Sequence, residues 1–168
     1  AQKNMAPAGL TVVVIDKSLA GKEMPCTPLV MSYKTMIEND SMYNTPPCWN
    51  IYILGLVLDW LEKQGGVKGM EQIKTAKAAL LYDYLDGSAL FKACAEKGSR
   101  SDMNVTFRTG DEAKDEEFCK SATKLGLTNL KGHRKVGGMR ASIYNAMPIE
   151  GVNKLVEFMK EFEVANRV

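Results

Sequence analysis

The chain has 168 residues, of which 45% are apolar and 25% are charged, and its formal net charge is +2 at pH 7. This composition predicts one globular domain or slightly more, and it excludes a disordered tail and a highly charged nucleic-acid-binding arm. The single histidine, His133, excludes a His-rich metal cage, and the scattered Cys26, Cys48, Cys94 and Cys119 lack zinc-site spacing, so no metal site is predicted. We expect four reduced thiols in a cytoplasmic protein.

The amino-terminal region contains a strand-like run. Residues Leu10–Asp16 (LTVVVID) are rich in β-branched side chains and follow Pro7 and Gly9, which predicts a buried strand. Such a strand needs neighbours with which to pair, so we expect the chain to begin inside a larger protein. Residues 17–43 mix Gly, Pro, Ser and Asn and predict a loop with at most a short strand.

A long apolar helix is predicted after Asn44-Thr45-Pro46-Pro47. Asn44 or Thr45 suits the N-cap, the prolines suit the first turn, and Gly65-Gly66 suits the end. The helix is apolar nearly all round, which predicts burial against its own core and a partner subunit, yet it is too short and too interrupted to span a membrane. Its start could bind an anion, although the residues alone favour an ordinary structural cap.

The pattern of apolar and polar residues changes after Gly65-Gly66, where we place a domain boundary. The apolar periodicity beyond it predicts a small α+β layer in the order α-β-α-β-α. The predicted elements are a helix from Met70 to Gly87, a strand at Met103–Phe107, a helix at Asp111–Leu125, a strand at Met139–Ala146 and a helix from Ile149 onward.

The sharpest local signal is a basic segment, because no Asp or Glu occurs between Phe118 and Ile149. At its centre lies Lys131–Arg140 (KGHRKVGGMR), whose glycines permit close backbone approach and whose cations suit a phosphate or a carboxylate. From charge alone, a solvated basic loop is an equally good interpretation. Nucleic-acid binding is the weakest interpretation, since few aromatic residues are interleaved.

Lys3 precedes the predicted strand. A desolvated lysine can act as a Schiff-base nucleophile, but nothing in spacing distinguishes Lys3 from the other lysines. The residues alone therefore favour an ordinary surface lysine.

Several blocks together resemble the carboxyl-terminal half of the phosphoserine aminotransferase family, which are fold-type-I, class-V enzymes that use pyridoxal 5'-phosphate. In chain order the blocks are AQKN-x-x-PAGLTVV, NDSMYNTPP, GLVLDWL-x-x-QGG, LTNLKGHRKVGGMRASIYNAMP and VEFMKEFE. The resemblance covers nearly the whole chain. It implies an α/β fold, in which residues 1–66 are the carboxyl-terminal part of the large cofactor-binding domain and residues 67–168 are a small α+β carboxyl-terminal domain.

The resemblance also implies roles for the amino-terminal candidates. Lys3 matches the catalytic lysine, which binds the cofactor and moves the proton of the substrate α-carbon. Gln2 matches a cofactor-binding position. Asn44 and Thr45 match a pair that reaches the cofactor phosphate of the other subunit in a homodimer.

In the basic segment, His133 and Arg134 match residues of a substrate phosphate pocket, and Arg140 matches the arginine that holds the substrate α-carboxylate. The implied reaction moves an amino group from glutamate to 3-phosphohydroxypyruvate, giving O-phosphoserine and 2-oxoglutarate in serine biosynthesis. About half of the family's chain has no counterpart here, so we expect the isolated chain to be inactive and to self-associate through its apolar helix.

Two alternatives stay open. The chain could be a non-catalytic module that binds anionic metabolites or a protein partner, in which case Lys3 is dispensable. It could also be another aminotransferase or a desulfurase of the same broad fold. Such an enzyme shares the cofactor-binding lysine but does not need to bind two anionic groups of one substrate.

Overall fold

The computed structural model describes residues 1–166. The chain divides into two compact units, Ala1–Trp60 and Leu61–Val168. The division falls inside a continuous helix and not at Gly65-Gly66, where the sequence predicted a domain boundary. The glycine pair instead lies where one helix ends and the next begins, with Gly66 as the first residue of the second helix, and both glycines have positive φ angles, 88° and 64°. The last two residues of the predicted domain 67–168 lie outside the described residues.

The first unit contains little regular secondary structure. Its helices are α1 (Tyr33–Glu38) and most of α2 (Cys48–Lys63), and single 3-10 turns lie at Lys17–Leu19 and Leu29–Met31. Across residues 1–60, all of which the structure describes, no residue is fully buried. This unit therefore has no closed core of its own.

The predicted strand at Leu10–Asp16 is wrong. Among the described residues, this segment pairs with no other strand, and the side chain of Val14 is 96% exposed. β-Branched residues favour an extended backbone, but a strand also needs a neighbouring backbone to bond with, and the first unit supplies none.

The start of α2 differs from the prediction. The helix begins at Cys48, after both prolines, and the carbonyl of Pro47 accepts the N–H of Ile51 at 3.1 Å. A residue that precedes a proline is disfavoured in the α conformation, so neither Thr45 nor Pro46 can open the helix. The predicted N-cap at Asn44 or Thr45 is therefore wrong, as is the placement of the prolines in the first turn.

Helix α2 ends at Lys63, close to the predicted end, but its apolar side chains are not covered within this chain. Trp49 is 67% exposed and Tyr52 is 58% exposed. The expected burial against a core of its own is not observed.

The second unit contains a three-stranded antiparallel sheet and three helices. The strands are β1 (Lys92–Ala93), β2 (Asn104–Arg108) and β3 (Met139–Ser142), in the order β1-β2-β3. The helices are α3 (Gly66–Gly87), α4 (Glu112–Lys124) and α5 (Ile149–Ala165). The predicted order of three helices and two strands is confirmed, but the strand predicted at Met139–Ala146 ends at Ser142. Strand β1 was not predicted, since two residues are too few to show a period of two.

The core of the second unit lies on one face of this sheet. Val105 and Phe107 of β2 are completely buried, and so are their neighbours on β3, Met139 and Ala141, to within 2%. They pack with an aromatic cluster contributed by the helices and by the residue before β1, which comprises Phe91, Phe118, Phe158 and Phe162. Because side chains alternate along a strand, the opposite face of the sheet is polar.

A buried carboxylate joins α5 to the end of α3. Glu163 accepts hydrogen bonds from the Tyr84 hydroxyl at 2.6 Å, the Ser88 hydroxyl at 2.8 Å and the Ala89 N–H at 2.8 Å. Burial alone would raise the pKa of Glu163, but these donors outweigh it and hold that pKa at about 2. The carboxylate is therefore ionised and structural.

No helix within residues 1–166 combines the length and the apolar character that crossing a membrane requires.

Candidate functional site

The basic segment Lys131–Arg140 folds as a tight hairpin that leads into β3. The Gly132 N–H donates to the Gly138 carbonyl at 2.8 Å, and the Arg140 N–H donates to the Leu130 carbonyl at 2.7 Å. Within the turn, the N–H groups of Val136 and Gly137 both donate to the carbonyl of His133 at 2.9 Å. The cations of this segment are therefore presented by a hydrogen-bonded backbone and not by an unstructured loop.

Two glycines permit the close approach of the hairpin arms. A Cβ atom added to Gly132 would lie 2.1 Å from the carbonyl oxygen of Gly137. A Cβ atom added to Gly138, whose φ is 62°, would lie 2.7 Å from the carbonyl oxygen of Phe107. Neither position accepts a side chain without displacing backbone, so the sequence requires glycine at both.

His133 and Arg134 line an open cleft of about 470 Å³ between the hairpin and α4. Both side chains are exposed, and neither forms an ion pair with any residue in the described range 1–166. The Lys135 N–H donates to Nδ1 of His133 at 3.3 Å, so this ring nitrogen is an acceptor within the turn. The hairpin thus offers the cleft an imidazole and a guanidinium.

The α4 side of the cleft carries three carboxylates and a thiol. Asp115 is nearly buried and accepts from the N–H and the hydroxyl of Thr109 at 2.8 and 2.7 Å, so its charge is used within the fold. Glu112 and Glu116 are exposed. Burial, and after it the nearby Asp115, raises the pKa of the Cys119 thiol, which therefore stays protonated near neutral pH.

Arg140 lies on the polar face of the sheet, opposite the face of Met139 and Ala141, and it does not line the cleft of His133 and Arg134. Its cross-strand partner is Thr106. Its Nε atom is buried and has no hydrogen-bond partner among the described residues. Buried polar atoms are nearly always satisfied, so the missing acceptor at this atom requires a physical explanation.

The amino-terminal candidates lie in the first unit. Lys3 is in a turn in which its own N–H donates to the Ala1 carbonyl at 2.7 Å. The side chains of Lys3 and Gln2 are both exposed. Asn44 and Thr45 are exposed just before the prolines that precede α2. Within the described range, the side chains of Lys3, Asn44 and Thr45 make no hydrogen bond or ion pair.

Sequence reasoning missed the residues that share the face of Arg140. The alternation of Asn104, Thr106 and Arg108 with buried residues did predict a polar strand face. The pairing of Thr106 with Arg140 depends on the register between β2 and β3, which no local pattern specifies.

Residues 1–155 match the family model described as "Aminotransferase class-V". A phosphoserine aminotransferase from Bacillus cereus is 50% identical over 167 residues, which are 99% of this chain and 46% of that protein. The chain spans about half the length of the curated relatives it matches.

Solved structures give the same result. A phosphoserine aminotransferase studied for radiation damage of its Schiff base has a TM-score of 0.94 and 44% identity, over 98% of this chain and 46% of that chain. A phosphoserine aminotransferase from Trichomonas vaginalis, described as PLP-bound, has a TM-score of 0.77 and 37% identity, over 82% and 39% of the two chains. These matches confirm the resemblance inferred from sequence and the α/β fold class.

Proposed function

Because this chain belongs to the class-V aminotransferase family, we propose that it supplies the carboxyl-terminal part of a phosphoserine aminotransferase. The observation that carries the proposal is 50% identity to an enzyme of that name over 99% of this chain. The reaction moves an amino group between glutamate and 3-phosphohydroxypyruvate, giving O-phosphoserine and 2-oxoglutarate, in serine biosynthesis. Residues 1–66 belong to the large cofactor-binding domain and residues 67–168 form the small domain.

The basic hairpin and the strand that follows it bind the two anions of the substrate. His133 and Arg134 take the phosphate, for which their exposed, unpaired donors in the cleft are suited. Arg140 takes the α-carboxylate, because an oxygen acceptor beside Nε satisfies a buried donor that has no partner among residues 1–166. Holding both ends of one small molecule fixes the orientation of the bond that reacts.

The donor set of the first unit fits pyridoxal 5'-phosphate. Lys3 offers an exposed amine without a partner among the described residues, which suits an aldehyde, and Asn44 and Thr45 offer free amide and hydroxyl donors, which suit a phosphate. When bound, the cofactor supplies the electron sink for negative charge on the substrate α-carbon. Lys3 holds the cofactor, accepts the α-proton on its amine and returns it, and Gln2 contacts the cofactor.

The proposed enzyme is a cytoplasmic homodimer in which Asn44 and Thr45 serve the cofactor phosphate of the partner subunit. The exposed apolar side chains of α2, including Trp49 and Tyr52, support an assembly that covers them. The four free cysteines support a reducing compartment.

The test is a chimera in which this chain replaces the matching segment of the Bacillus cereus enzyme. We expect the chimera to move the amino group of O-phosphoserine to 2-oxoglutarate. Lys3→Ala is expected to abolish that activity, whereas Lys17→Ala, which changes another exposed lysine of the first unit, leaves it unchanged. A chimera that takes up the cofactor but does not use O-phosphoserine, or one that works without Lys3, contradicts the proposal.

A further inference from the structure

Arg140 shares its face of the sheet with Asn104. Strands β2 and β3 pair antiparallel, with Asn104 opposite Ser142 and Thr106 opposite Arg140. Because alternate residues of a strand lie on the same face, these four side chains occupy the polar face together. Asn104 and Arg140 are diagonal neighbours, whose α-carbons lie roughly 7–8 Å apart, within reach of a long side chain.

The amide of Asn104 is held by two hydroxyl groups. Ser142 Oγ donates to Asn104 Oδ1 at 3.2 Å, and the Tyr144 hydroxyl donates to the same oxygen at 3.3 Å. Both donors come from β3 and the residues just after it. Asn104 therefore ties the central strand to the segment that contains Arg140.

The backbone around Tyr144 is itself anchored. Lys77 on α3 is completely buried. Its ammonium donates to the carbonyls of Tyr144 at 2.8 Å, Asn145 at 3.2 Å and Met147 at 2.9 Å. The hydroxyl of Tyr144 is thus presented to Asn104 from a fixed loop.

A carboxylate at position 104 would accept both hydroxyl groups as well as an amide oxygen does. It would differ in charge, and Arg140, a cation on the same face, has a buried Nε that lacks a partner among the described residues. A guanidinium beside a carboxylate forms a strong, charge-assisted pair. A neutral acceptor performs the structural task without occupying the arginine.

We propose that Asn104 is a positioning residue whose neutral amide fixes Ser142 and Tyr144 while it leaves Arg140 unpaired for the carboxylate of a ligand. This inference rests on the proposed function, in which Arg140 binds the substrate carboxylate. It adds a requirement on charge at a position that does not itself contact the substrate.

The test compares Asn104→Asp with the wild-type chain, using the NMR signal of the Arg140 Nε–H group. In the absence of ligand, the introduced carboxylate is expected to pair with Arg140, which shifts this signal and slows its exchange with water by about tenfold. Asn104→Ser, which keeps a neutral acceptor, and Asn153→Asp, which adds the same charge at an exposed position of α5, are expected to leave the signal unchanged.

Acetate is the carboxylate probe for the second measurement. We expect acetate to move the Arg140 signal in the wild-type chain and in Asn104→Ser, and to bind Asn104→Asp about tenfold more weakly. A wild-type Arg140 signal in Asn104→Asp, or an equal loss of acetate binding in Asn104→Ser, overturns the inference. If acetate does not move Arg140 in the wild-type chain, the carboxylate role in the proposed function fails, while the ligand-free comparison still decides whether Asn104 controls pairing.

Discussion

The N–H of Gly132 donates a 2.8 Å hydrogen bond to the carbonyl of Gly138, and this bond closes the turn that presents His133 and Arg134. The same closure leads the backbone into β3, where Arg140 lies on the polar face. One short hairpin therefore supplies cations to the cleft and leads into the strand that carries Arg140.

Substitution of Gly132 is expected to open this hairpin. In Gly132→Ala, the added methyl group meets the carbonyl oxygen of Gly137 at 2.1 Å, and relief of that overlap should cost about 1–3 kcal/mol of unfolding free energy. Urea denaturation measures the change. Gly98→Ala is the control, since nothing lies within 4 Å of its added Cβ atom. Equal stability of the two variants would show that the hairpin tolerates a side chain.

The buried carboxylate of Glu163 predicts an acid-sensitive fold. Its pKa falls from 4.5 to about 2 on folding, so its contribution to stability is complete above pH 4.5 and is lost as the pH falls toward 2. That contribution is roughly 3 kcal/mol. The unfolding free energy of the wild-type chain should therefore drop across this range, whereas Glu163→Gln should be less stable at pH 7 and lose less on acidification. Glu157→Gln, at an exposed position of the same helix, should keep the wild-type slope.

Removal of the Lys77 ammonium is expected to destabilise the connection between β3 and α5. Lys77→Met keeps the length of the side chain but leaves the carbonyls of Tyr144 and Met147 without their donor, at a cost of about 1–3 kcal/mol. Lys68→Met changes an exposed lysine of the same helix and should have little effect. Thermal unfolding measures the difference in stability between the two variants. A Lys77→Met protein as stable as Lys68→Met would contradict the anchoring role of Lys77.

The apolar surface of α2 predicts self-association of the isolated chain. Trp49 and Tyr52 are exposed and their rings lie 5.8 Å apart, so they form one contiguous patch. Trp49→Lys is expected to shift sedimentation velocity profiles toward the monomer. Val67→Lys, at an isolated valine that is 87% exposed, should not. A wild-type chain that stays monomeric at all concentrations would exclude this role of α2.

Patterns that depend on neighbouring residues predicted most of the second unit. The alternation of Val105 and Phe107 with polar residues correctly predicted β2, and the helix predicted at Asp111–Leu125 agrees with α4 to within one residue at each end. Leu10–Asp16 was mispredicted because strand formation depends on a partner backbone that its own sequence does not contain.

In the candidate site, too, local sequence patterns identified some residues and could not identify those whose role depends on distant parts of the chain. Charge and glycine content singled out the hairpin of His133 and Arg134, whereas the place of Lys3 came only from resemblance. Asn104 could not be predicted, because its relation to Arg140 depends on strand register and on hydroxyl groups that are distant in sequence.

In the proposed enzyme Arg134 and Arg140 hold different anions of one substrate, and the substrate preference of the chimera with the Bacillus cereus enzyme distinguishes their roles. The quantity is the ratio of kcat/KM for O-phosphoserine to that for serine. Arg134→Ala should lower this ratio by about 100-fold, because only the phosphorylated substrate loses a charged partner. Arg140→Ala should lower kcat/KM for both substrates and leave the ratio nearly unchanged. An unchanged ratio in Arg134→Ala would show that Arg134 does not hold the substrate phosphate.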